Sequence, residues 1–213
     1  MSIQQTEFSK FLKLLSDNDC LEHVILVGSW SEFLYKEVGL LKDFSPNIKT
    51  LDVDFLLKNM RKPSPSKDII SLAKDDGYLV EHDRFTNVTK ILDKSGLEIE
   101  FLLGKAGAGN EVALKTNLGV TAQTLWHMGI ISKNVITVDY LGMQVNVPSP
   151  EAYTIHKMVI NKERGKKMDK DKQAIKNICP YLDSEKFNYI YSTLTKKEKQ
   201  IVDDFIKDNA ISI

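Results

Sequence analysis

Asp52-Val53-Asp54 lies inside an apolar run, Thr50 to Leu57, that reads as a strand. Strand alternation puts residues 52 and 54 on one face. Two carboxylates side by side on a buried strand repel each other and lose hydration, so such a pair persists most easily beside a cation. Mg²⁺ takes a few carboxylates together with phosphate oxygens and water, which makes Asp-x-Asp a natural half-site. The plain alternative, an edge strand whose polar face meets solvent, stands about even with this. On the carboxylate reading, Asp52→Asn or Asp54→Asn should relieve the repulsion and slightly raise stability without ligands.

Leu97-Glu98-Ile99-Glu100-Phe101 repeats the arrangement. If it pairs beside the Asp52 strand, one of its acids can complete a metal cluster. Glu100 is the better choice, because Phe101-Leu102-Leu103 follow it as Phe55-Leu56-Leu57 follow Asp54. For Glu98 a solvated acid on an amphipathic strand is at least as good a reading. Gly28-Ser29 stands where an apolar strand meets a helix. Gly permits close backbone approach, and Ser29 could donate to a phosphate at the helix N-terminus; a simple Ser cap explains the pair equally well. Residues 156–176 carry eight Lys/Arg against three acids, a net +5 that would attract a polyphosphate or an RNA backbone. Most of these lysines read as a solvated helix face. Lys157 is the exception, flanked by Ile155, Met158, Val159 and Ile160. Its ammonium must reach a polar pocket or an acidic partner.

The elements that must position these groups follow from periodicity. A helix is expected over 6–16, a strand over 23–27, a helix over 30–38, and strands over 50–57, 78–80, 88–92 and 97–103. Ser66 is expected to cap a short helix reaching Lys74. Asp93 to Gly96 should turn a hairpin, and Val135 to Val147 another around Tyr140-Leu141-Gly142. Between Gly104 and residue 134 the pattern carries no clear period. After Pro148 and Pro150 the chain reads as helices over 150–162, 168–178, 184–193 and 196–208. The fold class is therefore α/β (α+β): a mixed sheet with flanking helices over 1–147, then a small helical domain over 148–213.

The 213 residues contain 29 Lys+Arg and 29 Asp+Glu, so no global charge draws the chain to nucleic acid or an anionic membrane. With 42% hydrophobic and 27% charged residues, wholesale disorder is excluded. Cys20 and Cys179 have no motif spacing and read as free thiols in a reducing compartment. Residues 1–7 lack a basic start and an apolar run, and no stretch approaches the roughly 20 apolar residues of a membrane span. A cytoplasmic protein is expected. Trp30 and Trp126 read as core residues.

In order along the chain, Val24–Val27, Gly28-Ser29, the 30–38 helix, Asp52-Val53-Asp54 and Glu98-Ile99-Glu100 resemble the nucleotidyltransferase fold superfamily, the DNA-polymerase-β-like enzymes. The 22 residues between Ser29 and Asp52 exceed the ten or so of minimal members; the surplus, 39–49, reads as a loop. Tyr35, Thr50, Pro148-Ser149-Pro150, Tyr153, His156-Lys157, Arg164, Lys170-Asp171 and Gln173 are similar to a bacterial branch that includes the abortive-infection type toxin nucleotidyltransferases. The resemblance implies NMP transfer from an NTP to an acceptor hydroxyl, with pyrophosphate released. Asp52, Asp54 and Glu100 would be metal ligands for two Mg²⁺, with Mn²⁺ as a substitute, and Glu100 could instead be the base. Gly28 and Ser29 would cradle the β- and γ-phosphates, and Lys157 and Arg164 would neutralise them. The acceptor stays open among a tRNA end, a protein side chain and a small molecule, and an antitoxin-like protein partner is implied by the toxin branch. The competing reading is an inactive module of the same fold that binds nucleotide or protein.

Overall fold

The computed structural model describes residues 2–46 and 50–213. The loop expected over 39–49 thus falls partly outside the described residues. Helix α1 (Ile3–Asp17) starts at a capping box of Ser2 and Gln5 and buries Phe8, Phe11, Leu12 and Leu15 at helical spacing. Strand β1 (Val24–Val27), entirely buried, runs into α2 (Ser29–Glu37). Then come β2 (Asp52–Leu57), α3 (Ile69–Asp75), β3 (Leu79–His82), β4 (Thr89–Leu92) and β5 (Glu98–Gly104). The cap of α3 differs from expectation: Asp68, not Ser66, accepts from Ser71 N at 3.1 Å.

The main sheet has the order β1-β2-β5-β4-β3. β2 and β5 are parallel with Asp52 opposite Glu98, Asp54 opposite Glu100 and Leu56 opposite Leu102. The other three neighbouring pairs are antiparallel. One face of β2 and β5 carries Val53, Phe55, Ile99 and Phe101 into the core formed with α1, α2 and α3. Each such side chain contributes about 1.5–3 kcal/mol when fully buried. The other face runs acid, acid, leucine on both strands. Leu56 and Leu102 pack against Met128 and Ile131 of α4 (Met128–Ser132), which leaves the acidic ends uncovered by that helix.

The stretch without clear periodicity holds β6 (Ala113–Lys115) and β7 (Thr121–Leu125); β7 extends the sheet parallel to β5. Trp126 is 40% exposed, with the Lys105 ammonium 5.3 Å above its ring, whereas Trp30 is buried as expected. The expected hairpin is β8 (Val135–Tyr140) with β9 (Met143–Pro148). Ser149 caps α5 (Pro150–Ile160), followed by α6 (Met168–Ile178), α7 (Ser184–Ser192) and α8 (Lys196–Asn209). These four helices pack around Ile155, Ile175, Ile190 and Val202, joined by Ile130 of α4. Tyr35 of α2 donates to the Pro148 carbonyl at 2.7 Å and ties the sheet side to the start of α5. Both cysteines are free and buried. Among the described residues no helix is long and apolar enough to cross a membrane.

Candidate active site

Gly28, Ser29, Thr50, Asp52, Asp54, Lys157, Arg164, Lys167, Lys170 and Asp171 line one cleft. Six of the seven residues singled out from the sequence therefore meet in one place, although their positions span 137 numbers of the chain; the seventh, Glu100, lies beside Asp54 in register. β2 supplies the acids, the turn into α2 supplies the backbone, and α5, α6 and the segment between them supply the cations.

Gly28 has φ +72°, and a Cβ there would lie 3.0 Å from Asp54 Oδ2. Only glycine leaves the space beside this carboxylate free and adopts the required backbone. Ser29 is the first residue of α2, with Gly28 as its cap, so the hydroxyl is not spent on capping as the plain alternative required. The positive end of the α2 dipole faces the cleft.

The two aspartates differ. Burial pushes the Asp54 carboxyl up, and repulsion from Glu100 and Asp52 adds to it, to about 6. Among the described residues Asp54 has no hydrogen-bond partner. Burial also pushes Asp52 up, but hydrogen bonding and charge from Lys167, with Thr50, outweigh it and hold Asp52 below the usual carboxylate range. Lys167 Nζ lies 3.1 Å from Asp52 Oδ2.

Glu100 is near enough to Asp54 to repel its carboxylate, yet it is also paired with a cation from the strand on its other side. Lys90 of β4, directly across from it, lies 2.7 Å from its carboxylate and also pairs with Glu98. Among the described residues no three acids, histidines or cysteines converge on a common point as metal ligands would. Lys90 therefore competes with any cation at Asp54 for Glu100, through one of its two carboxylate oxygens. If Glu100 serves the chemistry, Glu100→Gln should lower transfer at least ten times more than Glu98→Gln. Equal losses in steady-state rates would show that Lys90, and not either acid, matters.

On the opposite wall Lys157 is buried and donates to Asp171 Oδ1 at 2.5 Å; Arg164 Nε reaches Asp171 Oδ2 at 3.0 Å. Burial pushes the Asp171 carboxyl up, yet these two cations outweigh it and hold it low. The Lys157 ammonium also lies 5.1 Å from the Tyr153 ring centroid, and Tyr153 donates to buried Glu32 of α2. Lys170 has no ion-pair partner among the described residues, and burial, Lys157 and Lys167 push it below its ordinary value. Asp171 pairs with Lys157 and Arg164 and Asp52 with Lys167, which leaves Lys170 as the cleft cation without an ion-pair partner among the described residues.

Sequence reasoning left Lys167 among the solvated lysines, and named Lys170 and Asp171 only as part of the motif resemblance, with no role of their own. The signal was their spacing. Positions 167, 170 and 171 fall at i, i+3 and i+4, on one helical face. Two roomier cavities of ≈370 and ≈340 Å³ contain none of the cleft residues.

A nucleotidyltransferase family model matches residues 6–196. The chain belongs to this nucleotidyltransferase family. In fold it is similar to an antigenic nucleotidyltransferase-like protein from Paracoccidioides brasiliensis, at 14% identity and TM-score 0.54, covering 96% of this chain and 88% of that one. It is likewise similar to ANT(2")-Ia, solved in complex with adenylyl-2"-tobramycin, at 12% identity and TM-score 0.52, covering 96% and 99%. No curated protein matches it in sequence.

Proposed function

We propose that this nucleotidyltransferase moves an NMP from an NTP to an acceptor hydroxyl with release of pyrophosphate. The observation that carries this is the cleft itself, an aspartate pair facing four cations across a glycine turn. The acceptor oxygen bonds to the α-phosphorus, the bond to the pyrophosphate oxygen breaks, and the hydroxyl proton passes to a carboxylate or to solvent. Gly28 and Ser29 would bind phosphate oxygens through backbone N–H groups and the hydroxyl. Lys157, Arg164 and Lys170 would offset the charge that grows on the leaving pyrophosphate. Glu100 would take the proton or help hold a cation.

Asp52 and Asp54 suit Mg²⁺, or Mn²⁺ in its place: both are hard oxygen donors on one face, and Asp54 is unpartnered and repelled by its neighbours. Bound there, two such ions would neutralise the triphosphate and acidify the acceptor hydroxyl.

A small polyhydroxylated acceptor is supported by the fold likeness to ANT(2")-Ia, and a tRNA end by the basic run after Lys157. The toxin-like branch, its bacterial setting and an antitoxin-like partner rest on the motif resemblance. A cytoplasmic site of action is supported by the two unpaired cysteines and by the lack of a membrane-length apolar stretch in the sequence. A domain division at residue 148 is supported by the core that the last four helices bury among themselves, although Ile130 of α4 joins that core and Tyr153 and Ile178 pack into the main one.

The test supplies each α-³²P-labelled NTP with Mg²⁺ and, in turn, tRNA, cell protein and small-molecule extract. Label appearing on one acceptor class, with pyrophosphate released, supports the reading. Nucleotide binding without labelling of any acceptor would favour the inactive module.

A further inference from the structure

Lys167 sits on a short 3-10 turn (Gly165–Lys167) between α5 and α6 and bridges to Asp52 on β2. Both side chains are well exposed, 57% and 42%, so this ion pair is weak and exchanges readily with solvent ions. It nevertheless spans the cleft, whose volume of ≈ 40 Å³ holds about three waters and no triphosphate. Beside it, Lys170 has no anion among the described residues. Nucleotide entry therefore requires the Lys167–Asp52 bridge to open.

We infer that Lys167 is a displaceable cation that makes the site take metal and nucleotide together. This inference rests on the proposed transferase reading. Without ligand, Lys167 neutralises Asp52. When a metal-bound polyphosphate enters, Lys167 yields Asp52 to the divalent ion and turns onto the phosphates beside Lys170. A free divalent ion must evict the ammonium with no anion to receive it. A free polyphosphate must draw the ammonium away and leave Asp52 uncompensated. Each ligand removes the obstacle to the other, so their binding is mutually reinforcing.

Titration calorimetry with Mn²⁺ alone, inorganic tripolyphosphate alone, and the two combined tests this without depending on base or acceptor. The proteins are wild type, Lys167→Met, Lys167→Arg, and Lys166→Met as a control for net charge, since Lys166 is exposed on the same turn. Lys167→Met should bind Mn²⁺ alone about fivefold tighter and tripolyphosphate about fivefold weaker, and should lose the coupling between them. Lys167→Arg should keep the coupling, and Lys166→Met should match wild type. Equal shifts in Lys166→Met and Lys167→Met, or no change in Lys167→Met while wild type binds both ligands, would overturn the role of Lys167. Wild type binding neither Mn²⁺ nor tripolyphosphate would overturn the transferase reading itself.

Discussion

Asp54→Asn is expected to abolish NMP transfer and, without ligands, to melt at a higher temperature than wild type at neutral pH. The loss of transfer should be at least about 10³-fold, equivalent to about 4 kcal/mol, because the variant removes the negative charge that would hold a metal ion, through which the triphosphate would be bound. The stability gain follows from the carboxyl being raised to about 6 by burial and by Glu100 and Asp52. An unfolded aspartate ionises near 3.8. The folded chain therefore holds this proton longer than the unfolded chain does. Stability from this group is fully present below pH about 4 and is lost as pH rises through about 6. At pH 7.5 the loss is at most about 3 kcal/mol, and a domain of this size gains about 2–4 °C per kcal/mol restored. Asp54→Asn should thus melt several degrees higher at pH 7.5 and show no advantage at pH 4. Melting curves at the two pH values check it; equal stability at pH 7.5 would show that Asp54 is not held under repulsion.

Asp52→Asn should behave differently, against the symmetrical expectation drawn from alternation alone. Asp52 is held below its usual range by Lys167 and is well exposed. Its contribution is present at neutral pH and fades as pH falls. The sequence places both residues on one face but does not reveal that only one has a cation beside it. That cation comes from residue 167, on a turn whose lysine-rich composition resembles any solvated surface.

The same division between local and non-local information runs through the rest of the molecule. The matching depth of β2 and β5 was legible because two Asp/Glu pairs are each followed by Phe-Leu-Leu; that the two strands pair in parallel comes from the structure. The helices after Pro148 were legible because their apolar residues keep helical spacing and Ser149 and Thr195 cap them. The region around β6 and β7 was not: β6 is three half-exposed residues on an edge, with no buried face to impose alternation. The engagement of Glu100 by Lys90 depends on a cross-strand partner eight to ten residues away, which alternation within one strand cannot supply. Trp126 lies outside the core next to His127, which turns the chain in a left-handed conformation; histidine is enriched there, but a single histidine is too weak a signal to place a turn.

Lys157→Met is expected to damage both folding and nucleotide binding, and a second substitution separates the two. The structure gives Lys157 two occupations. It is the short-range partner of buried Asp171, and it lines the cleft opposite the aspartate pair. Removing its charge leaves Asp171 with Arg164 alone, and breaking a buried pair costs about 3–5 kcal/mol when nothing compensates. Arg164 compensates in part, so a smaller fall in melting temperature is expected. Lys157→Met combined with Asp171→Asn removes both charges and should recover most of that stability, because a neutral pair of similar shape leaves no isolated buried charge. Transfer should not recover. On the proposed transfer reading, an ammonium beside the phosphates would supply about 2–4 kcal/mol of transition-state stabilisation, and the double variant would still lack it. Asp171→Asn alone completes the cycle. It frees Lys157 from its partner and loosens Arg164, so it should raise KM for the NTP more than it lowers kcat, as expected of a residue that positions cations without touching substrate. If the double variant regains both melting temperature and nucleotide affinity, Lys157 is only half of a structural ion pair, and charge neutralisation in this cleft falls to Arg164 and Lys170.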